Sequence, residues 1–153
     1  MSGESYRRIL VVLDLKEDSL QIGRHAQALA ERLGAEIELL HVVELLAVEP
    51  MSETLMVTAR IEDELLEQAR VRLAALAGQI GCAGVPCWVE SGNVKAEIVR
   101  IARKRQADLI VLGSRERHGM SILINFTEDT VLHAAPCDVL AVRVKRPAAP
   151  AQS

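Results

Sequence analysis

Apolar and polar positions along this chain alternate between two periods. "RILVVLD" at 8–14 and "AEIELLHVV" at 35–43 are short runs of branched aliphatic residues, and each reads as a buried strand. Between them Leu20, Ala26, Leu29, Ala30 and Leu33 recur at helical spacing, and Gly34 supplies the stop. Residues 44–57 show no clean period and read as a mobile loop. From Thr58 to Gln79 a long charged helix follows, with Ile61, Leu65, Leu66, Ala69, Leu73 and Leu76 as its apolar stripe. "GCAGVPCWVES" supplies a turn and a third strand near Pro86–Glu90, and "GNVKAEIVRIARKRQ" a helix capped by Asn93. "ADLIVLGS" is the fourth strand, "TEDTVLHAA" a helix, and "DVLAVRV" at 138–144 the fifth strand.

The order βαβαβαβαβ requires crossover connections and a mostly parallel sheet covered on both faces. It predicts one doubly wound α/β domain over residues 1–146 with a five-stranded parallel sheet, for which a family resemblance implies the order 3-2-1-4-5, and a disordered proline- and alanine-rich tail at 147–153. Composition agrees. Half of the residues are apolar but there is one Phe, one Tyr and one Trp, so the core has to be aliphatic. The net charge of −3 comes from interspersed acids and bases, which leaves no basic stripe for nucleic acid. No apolar run reaches the roughly 18–20 residues that span a bilayer, and the N-terminus carries no signal-peptide core. These features point to the cytoplasm. Cys82, Cys87 and Cys137 have no CxxC spacing, and they read as residues of a turn, a strand entry and the loop before the last strand.

In an open doubly wound sheet, ligands bind at the carboxyl ends of the strands where the winding reverses. With strand 1 central and strand 4 beside it, the reversal lies between Asp14 and Gly113. An acid at Asp14 could bind ribose hydroxyls, adenine or magnesium, or it could cap the helix that follows; its position favours neither.

"RILVVLD…DS", "AEIELLHVV", "SGNVKAEIVRIARKRQADLIVLGSRERHGMS" and "VLHAAPCDVLAVRV" together resemble the universal stress protein (UspA) family over nearly the whole chain. The resemblance implies an adenine nucleotide alpha hydrolase-like fold. The family's ATP-binding members carry Gly-x2-Gly-x9-Gly-[Ser/Thr] between strand 4 and the last helix. Carried over, the first glycine is Gly113, the second position is Glu116, the third is Phe126, and the hydroxyl residue is Thr127. Glycines in such a loop let bare N–H groups approach phosphate oxygens closely. Glu116 brings a negative charge there instead, and Phe126 a bulky ring. Thr127 reads as an N-cap with Glu128 and Asp129 in the first turn, where carboxylates occupy the field an anion would use, at about 0.3–1 kcal/mol each. Arg115, Arg117 and Lys16 offset part of that charge or serve as solvated surface.

The resemblance thus implies a stress-response protein with a degraded ATP loop, no cofactor and no catalytic role. The competing reading is an ATP or AMP binder, with Mg, using Asp14, Val42, Gly113, Arg115 and Thr127, with slow hydrolysis or a sensing role. Among the histidines, His25, His41 and His133 read as structural or surface residues. His118, in the strand 4 loop with Ser121, is the best placed for chemistry but has no nucleophile partner. No Walker loop, nucleophile elbow or dinucleotide fingerprint appears. The last strand, Asp138–Val144, is an apolar edge without a blocking proline until residue 147. The resemblance implies a homodimer through that strand, and partner proteins that the residues do not name.

Overall fold

A computed structural model of the chain describes residues 5–44, 52–115, 131 and 133–144. Its elements run β1 (Arg8–Val12), α1 (Ser19–Leu33), β2 (Glu36–Glu44), α2 (Ser52–Ile80), β3 (Cys87–Gly92), α3 (Val94–Lys104), β4 (Leu109–Arg115) and β5 (Asp138–Val144). The strands form one sheet in the order β3-β2-β1-β4-β5 with every neighbouring pair parallel. This is the expected α/β architecture. Val131, His133 and Ala134 are helical, and Ala135 N–H donates to the Val131 carbonyl at 2.8 Å. The rest of the expected last helix lies outside the described residues, as does the 147–153 tail.

The central strands explain why the sequence shows runs rather than alternation. Leu10, Val11, Leu39, Leu40, Ile110 and Val111 are all fully buried, because both faces of β1, β2 and β4 are covered. On one face Ile9, Val11, Leu39 and Val111 pack with Ile22, Ala26 and Ala30 of α1 and Ala69, Leu73 and Ala77 of α2. On the other, Leu10, Leu40 and Ile110 pack with Ile98, Ile101 and Ala102 of α3 and with Val131. Each of the Leu, Ile and Val side chains contributes about 1.5–3 kcal/mol relative to exposure.

Local chemistry sets the element ends. Gly34 closes α1 in the left-handed region at φ 64°, and its N–H reaches back to the carbonyls of Ala30 and Glu31. Asn93 caps α3 as expected, its side chain accepting from Ala96 N–H at 2.9 Å. Beyond the α3 C-terminus, Arg105 grips Glu38 of β2, donating to Oε1 from Nη2 at 2.6 Å and from Nε at 3.0 Å. The Glu38 side chain is nearly buried, and the ring of Trp88 lies 4.8 Å from the Arg105 guanidinium carbon. The pair with Glu38 holds the Arg105 guanidinium charged, raising its pKa through the hydrogen bond.

Several boundaries differ from expectation. Residues 52–57 belong to α2 rather than to a loop over 44–57, and Glu44 belongs to β2. Between Met51 and Ala77 there is neither Gly nor Pro, and Glu53, Leu55 and Met56 are good helix formers. Once α2 is nucleated by its packed half, each further residue adds a hydrogen bond without needing an apolar partner. β1 also ends at Val12, two residues earlier than the apolar run suggests, because Leu13 and Asp14 already serve the turn.

The core makes a direct prediction. Ile110→Ala should lower unfolding free energy by about 2–5 kcal/mol in urea titrations, whereas Val71→Ala, at a site 61% exposed, should stay within about 0.5 kcal/mol. Equal effects at the two positions would contradict the packing described here.

Candidate functional site

The winding reverses between β1 and β4. The chain leaves β1 for β2 on one side, and after β3 it crosses to β4 on the other. Val11 pairs with Val111, so Asp14 and Gly113 leave the sheet from the same carboxyl end. Arg115 ends β4, in register with Val144 of β5. Val42 lies on β2, buried on the α3 face with Leu40, Ile98 and Leu112. Asp14, Gly113 and Arg115 thus come together at the switch point, with Val42 one strand away. Thr127 lies outside the described residues, together with Glu116, Arg117, His118, Ser121, Phe126, Glu128 and Asp129.

Asp14 is engaged in the turn it opens. Its Oδ1 accepts from Lys16 N–H at 2.9 Å and from the hydroxyl of buried Ser19 at 3.0 Å. This is an Asx turn extended by one hydroxyl, and it ties the last residues of β1 to the first turn of α1. Asp18, at the α1 N-cap, makes no side-chain capping bond, so Asp14 and Ser19 organise this helix entry.

The carbonyls on either side of Asp14 are held from elsewhere in the fold. His41 of β2 has Nδ1 2.7 Å from the Leu13 carbonyl oxygen. A carbonyl can only accept, so Nδ1 carries the proton. Arg72 of α2 donates from Nη2 to the Leu15 carbonyl at 2.5 Å. Leu15 itself adopts φ 61°, in the left-handed region that costs an ordinary residue about 1–2 kcal/mol. Its buried side chain and the Arg72 bond hold it there. Sequence reading found His41 at the end of β2 but not its partner. Arg72, 57 residues from Leu15, carried no signal at all.

Gly113 has a different cause from the one a phosphate loop would give it. Its backbone is ordinary strand, without positive φ. A Cβ there would overlap Ile22 Cδ1 of α1 and lie 3.2 Å from Ile22 Cγ1. The glycine lets α1 settle closely onto β4, and a second contact of the same kind joins Gly23 of α1 to Ile80 of α2.

The cysteines sit as expected in a turn, at a strand entry and before β5. Cys82 is buried with Sγ 2.9 Å from Gln27 Oε1, and burial with the nearby charge of Glu31 pushes its thiol pKa up. Such a thiol is a poor nucleophile near neutral pH. Among the described residues no three His, Cys, Asp or Glu side chains converge to hold a metal ion, and no helix is long and apolar enough to cross a membrane.

The packing account of Gly113 can be tested. Gly113→Ala should cost about 1–3 kcal/mol through overpacking, and much less in an Ile22→Ala background. A double-mutant cycle by chemical denaturation reads the coupling; additive effects would show that the close approach to Ile22 does not require the glycine.

Comparison with known proteins places the chain. The model of the universal stress protein family matches residues 5–143. Universal stress protein A homolog 2 of Coxiella burnetii is 36% identical over 143 residues, covering 93% of this chain and 98% of that protein. Universal stress protein G of Salmonella typhimurium is 29% identical, covering 90% and 99%. Among solved structures, the universal stress protein UspA from Lactobacillus plantarum superposes with a TM-score of 0.70 at 23% identity, over 92% of this chain and 100% of that one. A universal stress protein solved in complex with cAMP gives 0.59 at 19% identity, over 91% and 98%.

Proposed function

Because this chain belongs to the universal stress protein family, we propose that it is a cytoplasmic stress-response protein that holds no ATP tightly and works through protein contacts rather than catalysis. The observation that carries this reading is at Gly113. The one glycine kept from the family's phosphate loop has its missing side chain accounted for by Ile22, so its presence needs no nucleotide. Asp14, likewise, has Oδ1 committed to its own turn. The sequence then sets Glu116 and Phe126 where close backbone approach to phosphate would require glycine. The residues at hand do not fit a bound triphosphate.

The second reading is an adenine-nucleotide binder using Asp14, Val42, Gly113, Arg115 and Thr127. It is favoured by the fold shared with the universal stress protein solved with cAMP. One experiment separates the two. Protein purified natively and then denatured should release no stoichiometric 260 nm absorbance, and titration calorimetry with ATP and Mg should give no tight binding. Tight one-to-one binding would overturn the first reading. Glu116→Gly with Phe126→Gly should raise ATP affinity at least tenfold by restoring approach to the backbone; a folded double mutant of unchanged affinity would contradict this account of the loop.

The contacts we propose begin with a second copy. β5 pairs with β4 along Asp138–Val144 and is the last strand of the sheet. Val142 and Val144 are buried, while Ala141 and Arg143 are exposed. An open edge of this kind offers backbone donors and acceptors to the same strand of a partner. Sedimentation equilibrium should give twice the chain mass at micromolar concentration; a monomer there would remove the β5 interface from the proposal.

A further inference from the structure

The sequence of α3, "VKAEIVRIARK", sets a single acid, Glu97, against Lys95, Arg100, Arg103 and Lys104. Ile98, Ile101 and Ala102 are buried against the sheet, so the cations occupy the sides turned away from it. Their partners divide them. Arg100 pairs with Glu97 at 2.6 Å and with Glu90 of β3 at 3.1 Å, and Lys104 lies 5.5 Å from the centroid of the Trp88 ring. Lys95 and Arg103 meet neither an acid nor an aromatic ring among the described residues.

These two cations border a groove of about 620 Å³ between α3 and the helical residues at Ala134. Ala96, Val99 and Ala134 give it an apolar floor, Arg100 stands beside them, and no acid lines it. Lys95, Val99 and Arg103 follow at i, i+4 and i+8, so they form one row with the apolar residue midway. The ends of the row lie about 12 Å apart at helical rise, too far for one phosphate or carboxylate to meet both. The floor decides what kind of chain fits. An extended segment laid on alanine and valine, with no strand edge beside it, would bury its own N–H and C=O groups without partners. A helix bonds its backbone internally, and small residues let its axis approach to about 8–10 Å. A membrane surface is a poorer match, because the large apolar side chains exposed among the described residues, Ile61, Leu65 and Val71, all lie on α2 in the other layer.

We infer that this groove docks an amphipathic helix of another protein, one with two acids seven residues apart and branched apolar residues between them. Seven residues of helix rise about 10.5 Å and return to the same face, which brings the acids to Lys95 and Arg103. The apolar residues seat on Val99 between Ala96 and Ala134. Burial of that anchor supplies affinity, and the two charges at the rim supply selection and a dependence on salt. The inference rests on the reading that this protein acts through protein contacts, and it names the chemistry of one such partner at a surface outside β5.

Fluorescence anisotropy of a labelled synthetic helix, titrated with the full chain, tests it. The probe is an alanine-based peptide of about 20 residues with Glu at i and i+7 and Leu at i+3 and i+4. A second peptide replaces both Glu by Lys, and a third moves both Leu to the opposite face. At low ionic strength the first should bind at least about tenfold more tightly than either of the others, and lose most of its affinity in about 0.5 M salt. Lys95→Glu with Arg103→Glu should reverse the preference, so that the Lys peptide binds and the Glu peptide does not. Lys95→Gln with Arg103→Gln should weaken the Glu peptide without admitting the Lys peptide, and it carries the test if the reversed variant loses the parent's circular dichroism. A first peptide without saturable binding, a displaced-Leu peptide that binds equally, or variants that leave the preference unchanged would each overturn the inference. So would phosphatidylserine vesicles or inorganic polyphosphate binding as tightly through Lys95 and Arg103, since the surface would then select charge alone. Tight ATP binding in calorimetry counts against the contact-based reading whatever the peptides do. Absence of both ATP and peptide binding counts against this inference alone.

Discussion

Everything in this molecule hangs on β1 being held from four directions. Its backbone pairs with β2 through Arg8 to Val12 and with β4 through Ile9 to Val11. Its side chains alternate into two separate cores, Ile9 and Val11 toward α1 and α2, Leu10 toward α3. A parallel strand cannot reach its neighbour by a tight turn, so each pairing requires a crossover, and the helices that make the crossovers are the layers that bury the sheet. Burial of Ile9, Leu10 and Val11 in succession and the doubly wound topology are one constraint seen twice.

That constraint also builds the switch point. β1 turns toward β2 and β4 begins the opposite half of the sheet, so the turn after Val12 and the end of β4 leave neighbouring strands at the same carboxyl end, although α1, α2 and α3 separate them in sequence. The turn is then rigidified from outside. His41 fixes the Leu13 carbonyl, Arg72 fixes the Leu15 carbonyl, and Asp14 binds the residues that open α1. Three elements therefore converge on three consecutive residues, one of them in a left-handed conformation that a leucine adopts at a cost. On the β4 side, Gly113 lets Ile22 close the gap between α1 and the sheet. At both ends of this cleft, residue types that a ligand would use also serve the packing of the fold.

The helices contribute unequally to that packing. α1 and α3 are close to the length their strands need. α2, at 29 residues, carries Ile61 and Leu65 exposed in the turns before its well-buried half. Since burial of one half suffices to nucleate the helix, the other is free to present apolar and acidic residues without weakening the domain.

The sequence by itself determined the parallel α/β class, the strand positions to within a few residues and the Asn93 cap, while the strand order and with it the switch point came from the family resemblance. The former rest on local periodicity and on the rule that parallel strands need crossovers, both of which act within a few turns of chain. It also showed that Glu116 and Phe126 break the phosphate-loop pattern, since that is a matter of residue type. It could not determine how far α2 extends, because propagation beyond a packed nucleus leaves no apolar period. Nor could it separate the two roles open to Asp14 or explain Gly113. The close approach at Gly113 and the carbonyls flanking Asp14 are set by contacts between residues far apart in the chain: Ile22 over Gly113, Arg72 on Leu15 and His41 on Leu13. A residue's type limits the bonds and approaches it can make, but only the packed fold selects which of them it uses.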